Sequence, residues 1–174
     1  LDAHPQTAPP KAMKALAPLM SEGKPRLIVH DAKAVWSALR RFDLAPNFGF
    51  DTMLASYLVD AGKYAHTLSN IALSRLNHKT IEPEAILGKG KSAKTYGACS
   101  PEAIMDLACE QAQLTLLLAG PLEEELKEAN IESLLYDMEL PLSCILGDME
   151  SRGILPDVPA LKSLSAELQT RASE

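Results

Sequence analysis

The sequence predicts an α/β chain, mostly helical with few strands, and three observations carry that expectation. Apolar residues recur at helical spacing over most of the length. Only two short runs, Arg26-Leu27-Ile28-Val29-His30 and Phe48-Gly49-Phe50, have the length and composition of strands. Each run leads straight into a helical pattern, the first through Asp31 and the second at Asp51 or Thr52. A doubly wound sheet wants more strands than two, so any sheet here is expected to be small or incomplete.

The elements follow in order. Residues 1–10 read as a Pro-rich loop, and a helix is expected at about 11–22, closed by Gly23 and Pro25. Arg26–His30, an apolar run between Pro25 and Asp31, is expected to be a buried strand. Asp31 is a suitable N-cap for a helix through Arg41, with Ala32, Val35, Trp36 and Leu39 as its core stripe. After the second strand and the helix from Asp51 or Thr52, Thr67 caps a helix to about Asn77. Residues 79–99, rich in Gly and Lys, are expected to be irregular. Ser100-Pro101-Glu102 combines a capping hydroxyl, a first-turn proline and an acid at the positive end of the helix dipole, and that helix is expected to reach about Gly120. From Ile131 the apolar positions 131, 134, 135, 138, 142, 145, 146 and 149 form one helical stripe, kinked at most at Pro141 and ended by Gly153. Asp157 caps a last helix with Leu161, Leu164 and Leu168 on one face.

At 174 residues the chain holds one modest domain, or one domain and part of another. It is 47% hydrophobic and 23% charged with a net charge of −6, an acidic balance that argues against wholesale wrapping of nucleic acid. Aromatic residues, at 5%, are too few for a base-stacking platform. Cys99, Cys109 and Cys144 are odd in number and form no Cys-x-x-Cys, which points to reduced thiols in a cytoplasm rather than disulfides or zinc. No apolar run reaches the roughly 18 residues needed to span a bilayer, so no membrane partner is expected. The chain begins at Leu1 and reads as a piece of something longer.

Three segments in fixed order carry a resemblance. Phe50-Asp51-Thr52-Met53-Leu54-Ala55-Ser56-Tyr57-Leu58 is followed by His78-Lys79-Thr80-Ile81 and then Gly88-Lys89-Gly90-Lys91. Downstream come Met138-Glu139-Leu140-Pro141-Leu142 and the run Met149-Glu150-Ser151-Arg152-Gly153-Ile154-Leu155-Pro156-Asp157. This series resembles the 3′→5′ exonuclease domain of family A DNA polymerases, of the bacterial DNA polymerase I type, running into the polymerase domain. The resemblance implies a partial ribonuclease-H-like fold over residues 1–128, with its first strands before Leu1. It implies the start of the polymerase domain, a helix leading to the thumb, over 129–174. Its partners would be DNA and the remaining polymerase domain of the same polypeptide, in a bacterial cytoplasm at the nucleoid.

Exonucleases of that family use two divalent metals, about 4 Å apart, to stabilise the attacking and leaving oxygens of the scissile phosphate. Hard cations want several carboxylate oxygens. The family supplies them through an Asp-x-Glu on the first strand, an Asn-x-x-x-Asp and a Tyr-x-x-x-Asp. Here an Asp-x-Glu stands at Asp148-Met149-Glu150, on a helix far downstream and not on a first strand. The second motif falls on Asp31-Ala32-Lys33-Ala34-Val35, which puts Val35 where the family has a metal ligand. The third falls on Leu107-Ala108-Cys109-Glu110-Gln111, which puts Leu107 and Gln111 on the face that carries Tyr and Asp in the family. A leucine cannot orient water, and a neutral amide replaces a carboxylate.

Asp31, Asp51 and Glu110 are the acids that could rescue a metal site. N-capping is the plainer reading of Asp31, and Glu110 sits one position off the site face. His30, His66 and His78 show no metal-ligand spacing and are expected to cap or pack. Lys89, Lys91 and Lys94 lie among small residues in a loop that lacks the spacing of a nucleotide P-loop. They could touch a DNA backbone without reading sequence.

The expectation is therefore an exonuclease-derived domain with no catalytic residues and no cofactor of its own, structural in role, inside a DNA polymerase whose Mg²⁺-binding palm residues lie beyond Glu174. Two other readings stand beside it. One is a working nuclease that uses residues upstream of Leu1 with Asp31, Asp51 or Glu110. The other is an unrelated helical interaction module.

Overall fold

The structure, a computed structural model, describes residues 13, 15–20, 26–63 and 65–173. The loop expected over 1–10, most of the helix expected at 11–22 and its Gly23–Pro25 stop lie outside the described residues. Of that helix, Met13, Ala15 and Leu16 are helical and Ala17–Leu19 form a 3-10 turn.

The two strands form where expected. β1 (Leu27–Val29) and β2 (Phe48–Asp51) pair in parallel, and among the described residues they make a two-stranded sheet. The register joins Leu27 to Phe48, Ile28 to Phe50 and Val29 to Asp51, with a slip between Leu27 and Ile28. A Cβ on Gly49 would stand 2.4 Å from the Cβ of Arg26, so only glycine admits this approach of the chains. The expectation of a buried strand holds at Val29 but fails at Ile28, which is 39% exposed. Successive residues of a strand face opposite ways, so Val29 points into the core while Ile28, at the open end of the other face, stays partly in water although its β2 neighbour Phe50 is buried.

Between the strands runs α1 (Ala32–Arg40), whose stripe is as expected: Ala32 is buried, and Val35 and Trp36 pack against the core. α2 (Thr52–Asp60) follows β2 directly, and α3 (Leu68–Leu76) is capped by Thr67, whose hydroxyl accepts from the Asn70 N–H at 3.3 Å. The irregular stretch holds a single turn, α4 (Glu84–Leu87), and two 3-10 turns at Gly90–Ser92 and Tyr96–Ala98.

α5 (Pro101–Glu128) corrects one expectation by running straight through Gly120-Pro121. Pro121 has no N–H to bond the carbonyl four residues back, at a cost of about 3 kcal/mol. Against that, Leu114, Leu118, Leu122 and Leu126 form one buried stripe across the proline. Each fully buried leucine returns about 1.5–3 kcal/mol, so Leu122 and Leu126 together outweigh the break.

A second correction concerns the segment from Ile131. It is helical, but Leu134–Glu139 form a π-turn before α6 (Leu140–Arg152). The Leu140 N–H bonds the Leu135 carbonyl, five residues back, immediately before Pro141, which has no N–H to give. The wider turn rotates the apolar stripe off the core. Leu135, Leu140, Ser143 and Gly147 are buried, while Met138, Ile145 and Met149 are 56%, 56% and 58% exposed. α6 lies against α1 through small residues: a Cβ on Gly147 would meet Trp36 Cδ1 at 2.8 Å. Polar links join the same faces, from Trp36 Nε1–H to Asp148 Oδ1 (2.8 Å) and from Lys33 to Glu150 (2.6 Å). Arg40 stands 5.7 Å over the Trp36 ring.

Gly153, with φ of 70°, ends α6. α7 (Val158–Ser173) is capped by Asp157, and its Leu161, Leu164 and Leu168 share one face, half exposed. Arg75 of α3 ties the earlier helices together by pairing with Asp60 (3.1 Å) and Glu125 (2.6 Å). No helix among the described residues is long and apolar enough to cross a membrane.

Candidate functional site

The carboxyl ends of the two strands meet the starts of α1 and α2, and Asp51 sits between them. Its side chain is fully buried and accepts four backbone N–H bonds. Oδ1 takes Met53 (2.7 Å), Leu54 (3.3 Å) and Asp31 (3.2 Å), and Oδ2 takes Ala32 (2.6 Å). One carboxylate thus caps two helices, because the parallel register sets Asp51 beside Val29 at the end of β1. Burial raises the Asp51 pKa, and the four N–H donors only partly oppose it. The sequence pointed to Asp51 at the start of one helix; its hold on the other needs the pairing of β1 with β2 to be visible.

Asp31 adopts the left-handed conformation (φ 65°), which Asp tolerates better than most residues, and its Oδ1 accepts from the Ala34 N–H at 3.1 Å. It is the expected cap. His30 and Thr52 bond through Nδ1 and Oγ1 at 2.9 Å, and burial lowers the His30 pKa against the pull of the Asp31 charge. His66 bonds Ser56 (3.0 Å) and stands edge-on to Tyr57.

Two of the motif positions are occupied by packing groups. Val35 lies against the hydrophobic core, and Leu107 is almost fully buried. Gln111 was expected to share the face of Leu107 and Leu114; those two are buried while Gln111 is exposed, its amide left to water. Glu110 spends both oxygens locally, Oε1 on His78 Nε2 (2.8 Å) and Oε2 on the Ile81 N–H (2.7 Å), and the His78 bond is the main reason its pKa falls. Asp148 and Glu150, an Asp-x-Glu on α6, bind Trp36 and Lys33 of α1.

These side chains do not fit a pair of divalent cations. Two of the positions where the family has anionic oxygens offer a partly buried alkyl group and a neutral amide, and the nearby acids are committed to backbone donors or a histidine. Among the described residues no three His, Cys, Asp or Glu side chains converge.

The basic loop stands apart as a turn with positive φ at Gly88 (83°) and Gly90 (67°), closed by the Lys94 N–H on the Leu87 carbonyl at 2.8 Å. Lys89 and Lys94 are exposed, as is Tyr96 beside them. The backbone of Lys91 lies in the 3-10 turn, and its side chain falls outside the described residues.

Residues 7–116 match the family model for the ribonuclease H-like domain of DNA polymerase I. The chain belongs to the DNA polymerase I family. It is 31% identical to DNA polymerase I of Rhizobium leguminosarum over 93% of this chain and 16% of that protein. To DNA polymerase I of Pseudomonas aeruginosa it is 32% identical over 90% of this chain and 18% of that protein. The chain thus spans about a sixth of the length of these relatives. A solved structure of the POL domain of Pol1 from M. smegmatis, in complex with DNA primer-template and dNTP, superposes with a TM-score of 0.71 at 28% identity. That match covers 97% of this chain and 26% of the other. The described residues of this chain form an exonuclease-like domain of ribonuclease H-like fold followed by long helices, as the retained motifs led us to expect.

Proposed function

We propose that this domain no longer removes 3′ ends and serves DNA polymerase I as a scaffold. The observation that carries the reading is the use made of each site position. Val35 and Leu107 are packing groups, Gln111 is a solvated amide, and Asp31, Asp51 and Glu110 cap helices or hold a loop. In this reading Mg²⁺ belongs to the polymerase part of the parent.

The scaffold ends near Glu128, where α5 stops and Asn130 turns the chain with φ of 57°. Residues 129–174 begin the polymerase domain. The outward stripe of Met138, Ile145 and Met149, continued by Ile154 and Leu155, is the surface on which the rest of that domain packs, since so large an apolar patch marks an interface. Lys89 and Lys94 are exposed cations that can touch a DNA backbone, with Lys91 assigned to the same role from its place in the loop.

Manganese titration of the full polypeptide, followed by water-proton relaxation, tests the reading. Wild type and an Asp31→Ala variant should bind the same number of ions with the same affinity. A site lost in Asp31→Ala would contradict it.

A further inference from the structure

The crevice outside the carboxyl ends of the strands holds a cavity of about 580 Å³ that the scaffold role does not use. Its size falls within the roughly 300–1,000 Å³ of small-molecule sites, and in parallel α/β folds ligands settle at this end of the sheet. Met53, Leu54, Leu68 and the ring of Tyr57 give it an apolar lining. Its polar lining is His30, Asp31, His66 and Thr67; His66 bonds Ser56, the Thr67 hydroxyl caps α3, and His30 and Asp31 offer acceptors. Thr52 Oγ1 donates to the Val29 carbonyl (3.3 Å), so it receives the His30 Nδ1 proton, and His30 Nε2 is left with its lone pair. Asp31, also in the lining, gives Oδ1 to its helix cap and brings a carboxylate to the cavity wall. No lysine or arginine among the described residues lines the cavity, so a phosphate entering it would meet a carboxylate with no counter-charge.

We propose that this cavity binds a small aromatic amine, its ring among Met53, Leu54, Tyr57 and Leu68 and its ammonium group on the Asp31 carboxylate. The proposal rests on the reading of a silent exonuclease site, because it gives Asp31 to an organic cation rather than to a metal.

Isothermal titration of the full polypeptide with tryptamine tests it, with indole-3-propionate as a probe of the same shape and opposite charge. Tryptamine should bind saturably at one site, and Asp31→Asn should weaken it by about tenfold, the effect of one charged contact of about 1.4 kcal/mol. Asparagine also caps helices and tolerates the left-handed conformation, so the variant keeps its fold, which an unchanged unfolding midpoint would verify. The acid should bind at least about tenfold more weakly than the amine. Absence of saturable tryptamine binding, equal affinity for the acid, or indifference to Asp31→Asn would each overturn the proposal. A 3′-end removal assay on the same samples separates the two levels. Removal abolished by Asp31→Asn would overturn both the silent site and the amine site, whereas no removal and no tryptamine binding would overturn the amine site alone.

Discussion

The strand-end clip and the arm at 140–173 are held in opposite ways. At the clip one buried carboxylate, Asp51, gathers four backbone donors and fixes two helices with no charged partner. On the arm the large apolar side chains after Leu140 are exposed, and contact with α1 is made by Gly147 against Trp36, the Trp36–Asp148 bond and the Lys33–Glu150 pair. The difference teaches where each region spends its residues. The clip uses an acid for structure inside its own core. The arm turns most of its large apolar residues to solvent and holds α1 through close approach and polar links.

If that contrast is right, substitutions should rank accordingly. Asp51→Ala strands donors at two helix starts and should cost about 3–5 kcal/mol in urea unfolding, the largest effect in the chain. Gly147→Val forces a side chain into Trp36 and should cost about 1–3 kcal/mol, with a change in indole emission. Trp36→Phe keeps the ring but loses the bond to Asp148, for about 1 kcal/mol. Ile145→Gln with Met149→Gln should alter the stability of this chain by less than about 0.5 kcal/mol each, since both already face water. A large loss there would mean that the arm is packed inward and the comparison is mistaken.

The clip also has a pH signature. Burial raises the Asp51 pKa, so the native state holds that proton more tightly than the unfolded chain does. The corresponding stability is fully present below the unfolded carboxylate value and disappears as pH rises through the higher native one. Asp51→Asn cannot titrate, so unfolding midpoints of wild type and variant, compared from mildly acidic to neutral pH, should diverge in slope across that window.

Much of the clip was legible in the sequence. Asp31 before Ala32, Thr67 before Leu68 and Ser100 before Pro101 announce their helices through local chemistry, and short apolar runs marked both strands. Two features were not legible, for related reasons. α5 crosses Pro121 because tertiary burial of Leu122 and Leu126 outweighs a local break. The face of α6 turns because one π-turn shifts the phase of a helix, and periodicity identifies a helix without saying which side is covered. In the candidate site the substituted residues Val35, Leu107 and Gln111 could be read directly, since the retained segments around them fix their positions. The second helix held by Asp51 could not, because it depends on a contact across nineteen residues of chain.

The central claim is that the domain cannot shorten DNA from its 3′ end. Labelled single-stranded DNA, incubated with the full polypeptide in Mg²⁺ and then in Mn²⁺, tests it most directly. The account predicts ends of unchanged length in both metals. Metal-dependent shortening that Asp31→Ala or Glu110→Ala abolishes would contradict it.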